Sequence, residues 1–303
     1  MTAAVNTSTK SSQTSPTVLS AAQARQAIQK ERDQARQQGE KILDRDAIAV
    51  IDETKRAIDA ILSNKTDEAL AALERASGKI NILLARNPAN ALIPVSQEVV
   101  VFDTAPEDLK SVADLADAAE AATLLGDYPT ARTLLHGLMS ELRVRTYNLP
   151  LASFPIALSG AVRLLDEKRA DDAAKLLTTA VGTLLIIDRV TPLPLLLARE
   201  AIDQAKVERD RDKQGAIALL DKAKYELDKA MELGYSGHDP EYGKLKEDIE
   251  NLKKELKKTG DTSSLFARLQ ERMSAFLTRL SRGKSSRPDK PEGDQRKKQR
   301  PAA

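Results

Sequence analysis

The sequence predicts an all-α protein: a bundle of stacked antiparallel helical hairpins with a peripheral C-terminal helical extension. Three observations support this fold class. Apolar residues recur at helical spacing along most of the 303 residues, as they do on one face of an amphipathic helix. Only 3% of the residues are aromatic and Trp is absent, so the core must be built from Leu, Ile, Val and Ala, which suit closely packed helices. The third observation is an internal repeat of helix, tight turn and helix.

The repeat is marked by an alanine that follows each of four short polar breaks. Steps of four, seven and eleven residues from each alanine meet further apolar residues, which would share one helix face. The four sets are Ala69, Leu73, Ala76 and Ile80; Ala131, Leu135, Leu138 and Leu142; Ala173, Leu177, Ala180 and Leu184; and Ala216, Leu220, Ala223 and Leu227. Because the alanines are unequally spaced, the pattern favours helical hairpins over a regular solenoid, which has a fixed period.

Composition divides the chain into five segments. Residues 1–18 are rich in Ser and Thr and are predicted to be disordered. Residues 19–45 predict a polar helix with little to bury. Residues 46–235 hold the predicted bundle, residues 240–281 the C-terminal helical extension, and residues 282–303 a disordered basic tail.

Three apolar stretches interrupt the helical pattern. Residues 87–103 include the run Val99 to Phe102, which predicts an extended segment or a short strand packed on the bundle. Residues 147–155 and 188–194 contain proline and predict loops that lie against a core or line a pocket.

Charge and composition limit the classes of function. The net charge of +2 gives no overall field for nucleic acid, so no specific nucleic-acid partner is expected. Cys is absent, which excludes disulfides and thiol catalysis. The first 20 residues lack the apolar stretch of a secretory signal, and no segment is long and apolar enough to span a bilayer. A cytoplasmic location is the expectation.

The sequence carries no recognisable catalytic motif. His136 and His238 are far apart and neither has the spacing of a zinc site. No nucleophile elbow, phosphate-binding loop or dinucleotide fingerprint is present. The prediction is therefore no enzyme, no catalytic residue, no metal and no cofactor, with His136 packed or at the rim of a helix.

Tyr147 and Arg189 are the candidate ligand or interface residues. Both lie in the apolar proline-containing stretches, and Arg199 follows one helix-length later. If the two stretches meet at one end of the bundle, Arg189 could hold an anionic group or a partner carboxylate. The alternative, which is favoured, is that Arg189 only satisfies carbonyl groups at a helix end.

The last helix has an apolar stripe flanked by arginines. Packing on its own bundle or in an oligomer is the favoured interpretation. The alternatives are an anionic membrane surface or a protein partner, bound through residues 262–300. The candidate residues are Leu265, Phe266, Leu269, Met273, Phe276 and Leu280, with Arg268 and Arg272.

Residues 46–235 resemble the YfdX family of bacterial proteins. The resemblance is carried by IAVIDETKRAIDAI at 48–61, by IPVSQEVVVFD at 93–103, by the stretch at 124–151 that ends in YNLPL, and by residues 164–202. It implies an all-α fold, self-association, a link to bacterial stress responses, and chaperone-like or small-molecule binding. It supplies no motif of functional residues. This chain differs in lacking a predicted signal and in adding an N-terminal helix and a basic C-terminal extension.

Together these features predict a non-enzymatic, stress-associated binding or scaffolding protein that works as a homo-oligomer. The rival hypothesis is a peripheral membrane protein attached through its C-terminal helix.

Overall fold

The computed structural model describes residues 19–89, 91–235, 239–258 and 260–281. Over these ranges the chain forms eleven helices and three strands, so the prediction of a mainly α-helical fold is confirmed. The predicted disordered ends and His238 lie outside the described residues. The elements in order are α1 (Ala21–Ile42), α2 (Arg45–Leu62), α3 (Thr66–Arg86), β1 (Leu92–Asp103), α4 (Leu109–Leu124), α5 (Tyr128–His136), β2 (Ser140–Pro150), α6 (Phe154–Asp166), α7 (Ala170–Gly182), β3 (Leu185–Pro192), α8 (Leu193–Glu208), α9 (Lys213–Glu232), α10 (Glu241–Leu256) and α11 (Ser263–Ser281).

Four antiparallel helical hairpins form the body of the protein, as the repeat predicted. They are α2–α3, α4–α5, α6–α7 and α8–α9. The alanine after each turn is buried in every hairpin, and its small side chain lets the paired helices approach closely there. These alanines are Ala69, Ala131, Ala173 and Ala216.

Three of the hairpins share one turn geometry. A residue in the left-handed region ends the first helix, and its φ is 58° at Asn64, 76° at Gly126 and 58° at Lys168. The next residue then donates its N–H to the carbonyl five residues earlier, which closes the helix end as in a Schellman motif. These bonds run from Lys65 to Ala60 (2.9 Å), Asp127 to Ala122 (2.9 Å) and Arg169 to Leu164 (2.8 Å). The buried alanine follows five residues after each left-handed residue.

The helical pattern of the second and third sets ends earlier than predicted. Helix α5 stops at His136 and α7 at Gly182, so Leu138, Leu142 and Leu184 lie beyond them. Leu142 belongs to strand β2 instead. In the sequence SELRVRTYNLP, which starts at Ser140, the apolar residues Leu142 and Val144 alternate with arginines, and that period of two favours a strand.

The three strands form one antiparallel sheet in the order β1–β2–β3. The extended segment predicted around Val99 to Phe102 is confirmed as part of β1. The interpretation of residues 147–155 and 188–194 as loops was wrong, because the first four residues of the first stretch belong to β2 and most of the second stretch belongs to β3. Of the proline residues that suggested loops, Pro150 and Pro192 end strands β2 and β3, and Pro155 and Pro194 lie in the first turns of α6 and α8. A missing N–H is tolerated at both kinds of position.

The sheet lies between two groups of helices. One of its faces, with Val99, Leu142 and Val144, packs against α1 and against Leu193 and Leu196 of α8. The other face packs, near Ile93 and Leu149, on the core shared by α2, α3, α6 and α7. A second helical core is formed by α8 to α11.

Candidate functional site

A cavity of about 280 Å³ lies where α2 meets the sheet, and Tyr147 forms part of its wall. Small clefts with mainly apolar walls and a few polar groups are the usual form of small-molecule sites. We call this cavity the Tyr147 pocket. Its apolar lining is Ile48, Ile51, Val95 and Leu184, and its polar lining is Asp52, Lys55, Ser96 and Tyr147.

Helix α2 supplies one wall because its pocket residues share a helix face. Ile48, Ile51, Asp52 and Lys55 are spaced by three, four and seven residues, which brings them to the same side. Ile51 is buried, whereas Asp52 and Lys55 are exposed at the mouth. The helix start is fixed by Asp44, whose carboxylate accepts N–H bonds from Asp46 and Ala47 at 2.9 and 3.2 Å.

The opposite wall is shaped by an irregularity in the sheet. The pairing of β1 with β2 shifts register between Pro94 and Ser96, so that Val95 is the extra residue and Ser96 pairs with Tyr147. Val95 is buried against the core beside α2. A bulge of this kind redirects side chains and is common beside binding sites.

Charged groups lie in the wall of the pocket and on the neighbouring part of the sheet. Next to Tyr147 on β2, Arg145 donates two hydrogen bonds to Asp188 of β3, at 2.9 and 2.8 Å. These bonds raise the pKa of Arg145 and lower the pKa of Asp188, so both groups stay charged at neutral pH. With Asp52 and Lys55 exposed nearby, the site can accept an apolar or aromatic body against the walls and a polar head at the mouth.

Arg189 and Tyr147 do not come together as the sequence analysis suggested. Tyr147 pairs with Ile186, whereas Arg189 pairs with Val144. Val144 lies on the face covered by α1 and α8, and Tyr147 packs toward α2. Because successive side chains of a strand alternate between faces, Arg189 lies on the opposite side of the sheet from the pocket.

Arg199 is placed in a contact between helices. Its guanidinium donates to the carboxylate of Glu31 on α1 at 2.9 Å. Both side chains are about a quarter to a third exposed, so this pair contributes modestly to stability. Arg199 joins α1 to α8 and does not line the Tyr147 pocket.

The apolar stripe of the last helix is buried within the protein. Phe266, Leu269, Met273 and Phe276 lie in the core that α11 shares with α8, α9 and α10, and Leu265 and Leu280 are partly buried beside it. The apolar face of α10 matches the stripe, and the Phe276 ring meets Tyr242 edge-on at 5.0 Å. In this conformation the stripe is covered, so it does not face a membrane or a partner groove.

The arginines beside the stripe are held by acidic residues of the neighbouring segment. Arg268 donates to Asp248 at 3.0 Å, and Arg272 pairs with both Asp248 and Glu241. These two arginines therefore fix α11 on α10. The remainder of the suggested membrane or partner region, residues 282–300, lies outside the described residues.

Histidine and acidic side chains do not gather at one place in the described part of the chain. His136 ends α5, is exposed, and meets Phe102 edge-on at 6.2 Å. Over the ranges that the structure describes, no group of three or more His, Asp or Glu side chains could hold a metal ion. Likewise, none of the helices in those ranges is long and apolar enough to cross a bilayer.

Sequence reasoning found Tyr147 but missed the residues around it. Asp52 and Lys55 look like ordinary solvent-facing charges on a helix, and Ser96 became part of the site only through a strand bulge. The alternation in residues 140–150 was the available signal, since it assigns Tyr147 and Leu149 to one face and Val144 to the other.

Most residues of this site lie in the part of the chain that matches a known protein family. Residues 50–190 match the family model described as YfdX protein. A solved structure of Salmonella Typhi YfdX is similar at 14% identity, covering 50% of this chain and 93% of that chain with a TM-score of 0.33. A search of curated proteins gave no match.

Proposed function

Since residues 50–190 belong to the YfdX family, we propose that the protein is a non-enzymatic binding protein that holds a small amphiphilic molecule in the Tyr147 pocket. The single observation that carries this proposal is the pocket itself, formed where α2 meets the bulged part of the sheet. Every pocket residue except Ile48 lies within the family region. The site therefore belongs to the shared part of the chain rather than to its added ends.

The probe for this proposal is 8-anilinonaphthalene-1-sulfonate, which has an aromatic body and an anionic head. We expect Tyr147→Ala to weaken its binding about tenfold, because the ring supplies a wall of the cavity. Ser96→Trp, which places bulk at the pocket wall, should weaken it similarly. Tyr128→Ala is the comparison variant: that tyrosine is 64% exposed at the tip of another hairpin, so its loss reports any binding at that surface instead. Equal binding by the Tyr147 and Tyr128 variants would remove the site.

Self-association is the second part of the proposal, and strand β3 supports it. Leu185, Ile186 and Ile187 are each 44–50% exposed on a strand that has one strand neighbour among the described residues. An apolar edge strand readily pairs with another chain. In sedimentation velocity, Ile187→Lys should shift the protein toward monomer, whereas Ile156→Lys, at another exposed isoleucine, should not. The idea fails if neither or both change the distribution.

A chaperone-like activity is the alternative function, favoured by the tip of the α4–α5 hairpin. Leu124 and Leu125 are 80% and 84% exposed beside the exposed Tyr128. Clustered apolar side chains of this kind mark contact surfaces more often than single ones do. The Leu124→Ser and Leu125→Ser double variant should suppress heat aggregation of citrate synthase less well than the unchanged protein. Leu62→Ser is the control, and equal suppression by all three would dismiss the activity.

We also propose that the protein is cytoplasmic and associated with stress, as expected from the sequence. Cell fractionation of the full chain tests the location. Its abundance before and after heat challenge tests the link to stress, and an unchanged abundance would argue against that link.

A further inference from the structure

A groove separate from the Tyr147 pocket lies between helix α1 and the outer edge of strand β1. Its volume is about 600 Å³. We call it the α1–β1 groove. It is lined by Arg32, Arg36, Glu40 and Leu43 of the α1 side and by Gln97, Glu98, Val99, Val100 and Val101 of β1.

Five consecutive strand residues line this groove, so the groove follows the edge of a strand. Gln97, Val99 and Val101 lie on one face of the sheet, and Glu98 and Val100 lie on the other. The feature that all five share is the main chain along the edge of β1. Among the described residues β1 pairs with β2 on its other side, so this edge carries main-chain groups without a strand partner.

The same outer edge already accepts a hydrogen bond next to the groove. The N–H of Asp44, in the link between α1 and α2, donates to the carbonyl of Pro94 at 3.2 Å. Five residues of strand extend about 17 Å. The free edge is therefore long enough for a short extended segment.

Two arginines of α1 lie beside this edge and have no carboxylate partner among the described residues. Arg32 and Arg36 are one helical turn apart on α1, so they lie on the same side. Within the ranges described, neither forms an ion pair, whereas the adjacent Glu31 is paired with Arg199. Arg36 is exposed, and the Arg32 Nε is a buried donor that has no hydrogen-bond partner in the part of the chain that the structure describes.

The groove also contains an acceptor without a partner. The amide of Gln97 donates to the carbonyl of Ala35 at 3.0 Å, and its Oε1 is buried with no donor among the residues described. It lies over Gly39, where a Cβ would come within 2.2 Å of the amide. A donor and an acceptor without partners in one groove favour a ligand that offers both kinds of group, as a peptide main chain does.

We propose that the α1–β1 groove binds an extended acidic peptide segment of a partner protein, which adds to β1 as a fourth strand. Main-chain hydrogen bonds to the edge supply affinity, as in other cases of strand addition. Arg32 and Arg36 hold a carboxylate of the peptide and select acidic sequences. Glu40 and Glu98 line the two sides of the groove and restrict the peptide's acidic side chains to the arginine side.

The test uses a fluorescein-labelled octapeptide of alternating valine and glutamate, titrated into the full chain and followed by fluorescence anisotropy. Two analogues accompany it: one with lysine in place of glutamate, and one N-methylated at alternate residues, which cannot donate its main-chain bonds. We expect each analogue to bind about tenfold more weakly than the acidic peptide.

The protein variants locate the binding. Arg32→Gln with Arg36→Gln should weaken the acidic peptide about tenfold, and Arg189→Gln should change it less than about twofold. Arg189 is the matched control because it is an exposed arginine at the other edge of the same sheet. If circular dichroism shows that the double variant does not fold, Arg36→Gln alone carries the test with an expected weakening of about threefold.

Three outcomes would overturn the proposal. The first is a lack of saturable binding of the acidic peptide to the unchanged protein, and the second is equal binding of its N-methylated analogue. The third is an equal loss in the groove variants and in Arg189→Gln, which would show nonspecific attraction to positive charge instead.

Discussion

The α2–α3 and α4–α5 hairpins have the same turn geometry but differ in how deeply their second helices are buried. Both place a left-handed residue at the turn, Asn64 or Gly126, and a buried alanine five residues later. In the first hairpin, Leu73 is completely buried within the core that also contains α6 and α7. Its counterpart in the second hairpin, Leu135, is 55% exposed.

The difference shows that a local pattern encodes a hairpin without encoding its burial. In α4 and α5 the buried positions are mainly alanines, namely Ala119, Ala122 and Ala131 beside Val112. Small side chains bury little area, and each Å² of apolar area contributes only about 25 cal/mol. The α4–α5 hairpin therefore gains little from packing, and its exposed leucines at the tip remain free for a contact with another molecule.

The largest expected effect is the difference in lost stability between alanine substitutions at the two equivalent leucines. Leu73→Ala should lower the free energy of unfolding by about 2–5 kcal/mol, because it leaves a cavity in a packed core. Leu135→Ala should change it by about 0.5 kcal/mol or less, as at other exposed positions. Urea unfolding of both variants, followed by circular dichroism, provides the measurement. Similar losses would mean that α4–α5 is as well packed as α2–α3.

An intermediate change in stability is expected at the turns. Replacing the left-handed glycine of one hairpin should lower stability, and introducing a glycine at the left-handed position of another should raise it. Gly126 has φ 76° and nothing within 4 Å of the position that a Cβ would occupy, so Gly126→Ala should cost about 1 kcal/mol through the backbone alone. Lys168 adopts a left-handed φ of 58° with a side chain, so Lys168→Gly should raise stability by about 0.5 kcal/mol. Thermal unfolding compares the two, and changes of the same sign would contradict a shared turn.

The smallest effect concerns pH and the start of α5. The Asp127 carboxylate accepts hydrogen bonds from Thr130, which lower its pKa below the ordinary value of 3.8. A carboxyl group whose pKa is lower in the folded state stabilises that state above its unfolded pKa, and the stabilisation is lost as pH falls through the folded pKa. Asp127→Ala should therefore lower the melting temperature slightly at pH 7 and less below about pH 4.

Helix α6 offers the comparison for this pH effect. Its N-cap residue, Ser153, is uncharged and makes no side-chain cap hydrogen bond within the part of the chain that the structure describes, so Ser153→Ala should show no such dependence on pH. An equal effect of Asp127→Ala at both pH values would show that its carboxylate charge does not matter.

The sequence predicted the helical part of the fold because each hairpin is encoded locally. Turn residues and the alanine after each turn act within a few residues of each other. The sheet was harder, because its strands are separated by whole hairpins and their pairing depends on contacts distant in sequence. The β-favouring run in β1 was recognised from the sequence. The alternation within β2 was also present, but the apolar repeat of Leu138 and Leu142 concealed it.

The candidate site was only partly predictable for the same reason. Tyr147 stood out as an aromatic residue in an apolar stretch, but its neighbours Asp52 and Ser96 come from elements about 95 and 50 residues away along the chain. Arg189 was paired with Tyr147 from sequence position alone. Strand register then placed it on the opposite face of the sheet.

The most direct test of the Tyr147 pocket is the map of amide chemical-shift changes when 8-anilinonaphthalene-1-sulfonate is added to the isotope-labelled full chain. If the pocket binds the probe, the largest changes should fall on Ile51, Asp52, Ser96 and Tyr147, and Tyr147→Ala should need about tenfold more probe to produce them. Changes concentrated at Leu124 and Leu125 instead, or along β3, would contradict it and assign the binding to an exposed apolar surface.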